Sequence, residues 1–241
     1  MNKIRIFNGN TLKIIAAVCM FIDHMGFMLF PNITLFRIIG RLAFPIFAFM
    51  IAEGARYTKN KIKYFSLIFI LAVIFQFIYY FFQHSLKMSV LVTFSLSILV
   101  IYSFQFFKWQ LSKPNNFINS MLAFVVIIVA IMFVFTLNLV FDIDYGFTGC
   151  MLPVFASIFH NKTQTKACQV LNCHYVSLIC FSIGLLLVCI FSGWNIQYYS
   201  LIAIALLLLY NGTRGKLKLK YFFYIFYPVH LVLLYVIDLL I

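Results

Sequence analysis

Apolar residues in this chain come in long unbroken runs, not in the strict alternation of a half-buried strand or the narrow stripe of a soluble amphipathic helix. About nine runs can be marked, over residues 11–30, 35–55, 64–82, 88–107, 117–140, 145–160, 174–191, 196–210 and 221–240. Most approach the ~20 residues with which an α-helix crosses ~30 Å of hydrocarbon. The sixth and eighth are short enough to be tilted, half-spanning or re-entrant, so roughly eight to ten spans are expected. Barrel strands would instead appear as segments of about ten residues with alternating polarity, so the runs predict helices. The fold expected is an all-α, polytopic transmembrane helical bundle. No stretch between runs is long enough for a separate soluble domain, which predicts a single integral-membrane domain over residues 1–241.

Short polar stretches punctuate the runs: "LFPNIT", "RYTKNKIK", "KPNN", "FDIDYG", "HNKTQTK", "SGWN" and "YNGTRGK" each carry Gly, Pro, Asn or a charge cluster. Loops this short confine any chemistry to helix-borne polar residues and loop edges. The first run is interrupted by Asp23 and His24, lacks a following small-x-small site and leads directly into more runs. It is therefore expected to stay in the mature protein. No internal repeat and no matched pair of Gly/Pro-broken spans is visible, which counts against a carrier.

Composition sharpens this picture. Hydrophobic residues make up 65% of the 241 and charged residues 10%, against roughly 45–50% and 25% in soluble domains. A net charge of +13 needs no nucleic-acid partner. With nine spans and a cytoplasmic N-terminus, fourteen of the eighteen basic residues fall on the inner face, among them Arg56, Lys59 and Arg214. The positive-inside rule then predicts N-in and C-out in a bacterial plasma membrane, with anionic membrane lipid as the partner of the charge. The inner-face clusters "ARYTKNKIKY" and "TRGKLKLKY" also have the chemistry to hold phosphates of a soluble donor. The six cysteines imply no disulfide framework. Cys168, Cys173, His174 and His160 are too loosely spaced to predict a metal site, and none is expected.

Charged side chains inside lipid cost roughly 2.5–3.5 kcal/mol each and are kept mostly where they meet a partner or a cavity. The first run carries Lys13, Asp23 and His24. Eleven residues separate Lys13 from His24, three turns plus ~20°, so both lie on one helix face about 16 Å apart. Asp23 and His24 diverge by about 100° and cannot pair on their own helix, although both can border one polar region. The imidazole is a candidate general base. Arg37 and Arg41 stand one turn apart on the second run, either snorkelling to water or lining the same region as His24, since a short turn returns this run beside the first. Pro45 is expected to kink that run, and Glu53 lies at its inner end. "FDIDYGFTG" adds Asp144 and Tyr145 beside Asp142 at the outer face, where solvated loop acids are the ordinary reading. "LYNGTRGK" couples Asn211 to Arg214, a turn first and a ligand contact second. His230 sits mid-span behind Pro228, and an intramembrane histidine is a functional candidate.

The runs "LKIIAAVCMFIDHMG", "FRIIGRLAFPIFAFMIAEGARYTKNKIKYF", "DYGFTG" and "LYNGTRGK...KYFFYIFYPVHLVLLY" resemble the TraX family in order and spacing over nearly the whole chain. That family is named for conjugation-linked membrane proteins associated with N-terminal acetylation of pilin. It is in turn similar to acyltransferase-3-like membrane enzymes, which move acyl groups from a cytoplasmic acyl-CoA. Those enzymes have a first-helix pattern of Arg, ten residues, then a catalytic His. Lys13 and His24 stand at that interval, so the resemblance implies a catalytic His24 and a charge-holding Lys13, with Lys lacking the bidentate fork of Arg. "YPVHL" is similar to the Y-x-x-H of their last helices, which brings in His230.

The resemblance implies an acetyltransferase with no permanently bound cofactor, using acetyl-CoA or another acyl-CoA as donor. His24 would take a proton from an acceptor amine or hydroxyl, Arg37 or Arg41 would hold the oxyanion, and Asp23 and His230 would assist. Lys13, Arg56, Lys59, Arg214 and Asn211 would face the donor, with Glu53, Asp144 and Tyr145 at pocket or loop edges. The acceptor would be pilin or a surface glycan or lipid. A non-enzymatic membrane protein, either a proton-coupled transporter relaying through Asp23, His24 and His230 or an assembly factor for a surface structure, is the alternative.

Overall fold

The computed structural model describes residues 5–83, 86–113, 117–159, 174–193, 195–217 and 219–240. Among the described residues, each apolar run read from the sequence is mostly helical. The order is α1 (Gly9–Met28), α2 (Thr34–Gly40), α3 (Ala43–Tyr57), α4 (Lys61–Gln83), α5 (Val90–Leu111), α6 (Phe117–Val140), α7 (Gly146–Ser157), α8 (His174–Phe191), a 3₁₀ helix (Asn195–Leu201), α9 (Ile202–Leu208) and α10 (Lys220–Leu240). Among the described residues, six segments are long and apolar enough to cross a membrane: α1, Thr34–Tyr57, Lys61–Phe81, α5, α6 and α8. Gly146–Ser157, Asn195–Leu208 and Ile225–Leu240 are shorter apolar helices. The protein is thus a multi-pass helical membrane protein. The 12 residues of α7 span only ~18 Å, too little for the hydrocarbon, as the shortness of the sixth run foretold.

Packing divides the chain into two compact units, residues 1–50 with 185–241, and residues 51–184. In the first unit, α1 starts at Asn8, whose side chain accepts from the Thr11 amide at 3.0 Å and satisfies one of the donors that every helix N-terminus leaves over. Two more are taken by main-chain carbonyls from the far end of the sequence: Gly9 N–H donates to Thr213 at 2.7 Å and Asn10 N–H to Arg214 at 3.0 Å. Asn10 Nδ2 adds a bond to the Leu217 carbonyl, and Phe7 pairs with Tyr210 as an isolated parallel bridge. The start of α1 is therefore clasped by residues 209–217.

Leu29 to Ile33 turns the chain back, and α2 packs along α1. Gly26 allows the contact, since a Cβ there would run into Phe36. Between α2 and α3 the helix breaks at Arg41 and Leu42. Pro45 explains the position: it has no N–H for the Arg41 carbonyl, and its ring crowds that same carbonyl. Pro45 itself sits in the first turn of α3, where a missing N–H costs nothing. Below the break, Cys19, Met20 and Ala43 are buried against Ile39, Leu42, Phe226 and Tyr227, so α1, α2, α3 and α10 meet around one apolar cluster.

In the second unit α5 is the central helix, touching α4, α6 and α7. Its buried Ser95 and Ser103 donate to carbonyls of their own helix, and Ser97 lies between the carbonyls of Thr93 (2.8 Å) and Cys150 (2.7 Å). Thr93 Oγ1 donates to the Asp144 carbonyl at 2.8 Å. Such bonds meet the requirement that buried polar groups be satisfied within the protein where no water is at hand. Helix α6 exposes Phe124, Val125, Val129, Met132 and Phe133 and has no charged residue, as expected of a lipid-facing helix.

Candidate active site

Asp23 is the hub of the polar cluster in the first unit. Its carboxylate accepts from Arg41 Nη2 at 2.9 and 3.0 Å and from Arg37 Nη1 at 3.0 Å. Arg37 Nη1 also reaches the Asp23 carbonyl at 3.3 Å. One carboxylate is thus shared by two guanidinium groups one helical turn apart, an arrangement only the return of α2 beside α1 permits. Gly40 makes the approach possible: a side chain there would occupy the space of the Asp23 carboxylate. Arg41 is buried, with 7% of its surface exposed, so it does not snorkel. It reaches Gln197 Oε1 at 3.5 Å and the Arg37 carbonyl at 3.4 Å. Arg37 is the more open of the two and lies over the Phe27 ring at 5.3 Å.

His24, one residue on, points to a different helix. Its Nδ1 stands 3.0 Å from Nε2 of His230 on α10, a contact across 206 residues of sequence. The other nitrogen of His230, Nδ1, lies 2.8 Å from the Phe226 carbonyl. The Phe226 ring is parallel to the imidazole, with centroids 4.9 Å apart and 9° between planes, and Tyr227 meets it edge-on at 5.9 Å. His230 is buried while His24 is half-buried. Arg37 and Arg41 are near enough for their charge to act on the His24 ring. The adjacent pair Asp23 and His24 therefore serves two clusters, with the ~100° step between neighbouring helical residues aiming one at α2 and the other at α10.

The remaining sequence candidates lie in different surroundings. Lys13 is half-buried with Arg214 as a charged neighbour, and Arg214 is exposed. Asn211 Oδ1 accepts from the Thr213 amide at 2.9 Å and hydroxyl at 2.7 Å, closing a local turn. In the second unit, Glu53 pairs with Arg56 one turn on at 3.3 Å, and the Arg56 guanidinium lies over Tyr57. Lys59 is exposed. Asp144 joins its backbone N–H to the Met88 carbonyl at 3.0 Å. Tyr145 begins α7 with φ +61°, the one non-glycine residue in the left-handed region among those described. Cys168, Cys173 and His160 lie outside the described residues; among the described ones no His, Cys, Asp or Glu group of three or more has the arrangement of a metal site.

The profile of the TraX protein family matches residues 8–238. The chain belongs to the TraX family. An uncharacterized protein of Rickettsia prowazekii (strain Madrid E) is similar to it at 34% identity over 160 residues, covering 65% of this chain and 58% of the relative. A protein of Dichelobacter nodosus described as a probable fimbrial assembly protein, FimC of serogroup H1, is similar at 24% identity over 247 aligned positions, covering 95% of this chain and 94% of the relative. The match thus spans a little over half the length of the Rickettsia protein and nearly all of the Dichelobacter one. No solved structure matches.

For this TraX-family chain, sequence reasoning missed Gln197, Gly40 and the Phe226 carbonyl. Gln197 is 2% exposed; its Oε1 faces Arg41, and its Nε2 is buried without a hydrogen-bond partner among the described residues. A glutamine in a short apolar run is a signal that was available, because a neutral amide in such a run has to find partners inside the protein. Gly40 had a weaker signal, its position between the two arginines. The carbonyl of Phe226 had none.

Proposed function

We propose that the chain is an acyltransferase of the bacterial plasma membrane, moving an acetyl group from acetyl-CoA to an amine or hydroxyl acceptor on a pilin or another surface molecule. The observation that carries this reading is the His24–His230 contact, a half-buried imidazole backed by a buried one, beside two guanidinium groups shared by a single carboxylate. An imidazole able to take and return a proton, next to fixed positive charge, is what acyl transfer from a thioester requires. In the proposed reaction His24 removes the proton of the acceptor as its nitrogen or oxygen bonds to the thioester carbon. The tetrahedral intermediate then collapses, the C–S bond breaks, and the CoA thiolate takes the proton back from His24.

Arg37, the more open guanidinium, is the residue to meet the oxyanion. Arg41 is buried and holds Asp23, so its part is to fix the cluster. Lys13, Arg214 and the exposed basic residues beside them offer charge to the CoA phosphates.

The test is transfer of labelled acetyl groups from acetyl-CoA by the purified protein in detergent. His24→Ala should lower the rate by at least ~10²-fold while the protein still inserts and purifies as a folded species. Undiminished transfer in that variant would overturn the assignment. A second reading, a fimbrial assembly factor without catalysis, draws on the description of the Dichelobacter relative. It requires that His24→Ala leave surface fimbriae unchanged in number and modification.

A further inference from the structure

Resting on the reading of His24 as the general base, we infer that His230 is a positioning residue that fixes the proton of the His24 ring on Nδ1 and so turns the lone pair of Nε2 toward the acceptor. A backbone carbonyl only accepts, so the 2.8 Å contact of Phe226 with His230 Nδ1 places a proton on that nitrogen. In a neutral His230 the other nitrogen, Nε2, then carries a lone pair. That lone pair faces His24 Nδ1 at 3.0 Å, and two lone pairs would repel, so His24 Nδ1 must be the protonated one. What is left to His24 is an unprotonated Nε2, the nitrogen a general base works with.

The environment holds this order in place. The parallel Phe226 ring and the edge-on Tyr227 ring clamp His230 in its plane. Turning the ring over would put carbon atoms where both nitrogens stand and would lose both hydrogen bonds. His230 is 3% exposed, so water is not at hand to replace either bond. The His24 ring also meets the Met20 backbone one turn back on α1, so His230 reinforces a local contact; with His230 gone that contact stands alone, and the other tautomer, with the proton on Nε2, presents a donor where the reaction needs an acceptor. The same logic gives His230 its part during turnover. When His24 gains the acceptor's proton at Nε2, its Nδ1–H still donates to His230, and the imidazolium charge is shared toward the Phe226 carbonyl dipole without any net proton being lost from the pair.

Two substitutions separate this role from plain packing. The amide of glutamine reaches the position of Nε2, so His230→Gln keeps an acceptor for His24. The amide of asparagine reaches only the position of Nδ1, so His230→Asn keeps the bond to Phe226 and loses the one to His24. The experiment is nitrogen NMR of the full-length protein in nanodiscs with 15N-labelled histidine, the His24 signals being identified by their loss in His24→Ala. The expected wild-type result is a protonated Nδ1 and an unprotonated Nε2 in His24. His230→Gln should keep that pattern, and His230→Asn should shift it toward Nε2–H. Acetyl transfer should follow, with kcat reduced about 10²-fold in His230→Asn, largely recovered in His230→Gln, and KM for acetyl-CoA unchanged in both. A wild-type His24 protonated on Nε2, or an unchanged tautomer in His230→Asn, overturns the inference, and the wild-type spectrum alone decides the first point should a variant fail to fold. The expected tautomers in a protein that transfers no acetyl group would sustain the His230 assignment and sink the transferase reading, so the two failures are distinct.

Discussion

The two compact units differ in the polar groups they hold within the apolar helices. In residues 51–184 the buried hydroxyls of Ser95, Ser97 and Thr93 each take a nearby backbone carbonyl, and Ser177 of α8 does the same with Ala156. These are neutral hydroxyl-to-carbonyl bonds, the ordinary glue of helices in membranes. The other unit buries neutral amides as well, Asn10 and Gln197 among them, but what distinguishes it is the buried Arg41 paired with Asp23 and the buried His230 in contact with His24. A charge taken out of water is costly unless its partner is well placed, and such placement carries no gain over apolar packing. Groups retained at that cost are where chemistry is to be sought. The Glu53–Arg56 pair of the second unit differs in kind, being local to one helix turn.

That contrast can be broken at three points. Asp23→Asn removes the one carboxylate that both Arg37 and Arg41 hold, and should destabilise the protein by about 3–5 kcal/mol, read as a fall in thermal midpoint in detergent; replacing Arg41 by leucine in the same chain should recover part of it. An unchanged midpoint in Asp23→Asn would mean the cluster is not under the cost assigned to it. Gly40→Ala drives a methyl group into the Asp23 carboxylate and should cost about 1–3 kcal/mol by the same measurement, although it deletes nothing. Ser97→Ala, in the second unit, should cost only about 0.6 kcal/mol, and a loss as large as that of Asp23→Asn would erase the distinction between the units.

Much of the fold was legible because lipid imposes one rule, an apolar run of fixed length, that sequence alone can meet. The runs at 117–140 and 174–191 coincide with α6 and α8, and the shortness of the sixth and eighth runs reappears in α7 and in the 3₁₀ helix with α9. Pro45 announced the break at Arg41 because its effect is local and steric. Asn211 was readable as a turn for the same reason. The divergence of Asp23 and His24 followed from helical geometry, but their partners did not. That Asp23 takes both arginines depends on how closely α2 approaches, which Gly40 and Gly26 decide. That His24 finds His230 depends on packing between the first and last helices, for which no periodicity exists.

The clasp of residues 209–217 over the start of α1 has a consequence for how the bilayer acts on the site. From Gly9 to His24 is ~22 Å of helix, and the segment that grips Gly9 and Asn10 precedes α10, which carries His230, by only a few residues of sequence. The first and last helices are thereby joined at two depths, by main-chain bonds at one level and by the imidazoles at another. A bilayer that thins or thickens makes helices tilt or slide, and sliding these two past each other would have to open both joints together. The separation of the two rings is thus insulated from the thickness of the surrounding lipid.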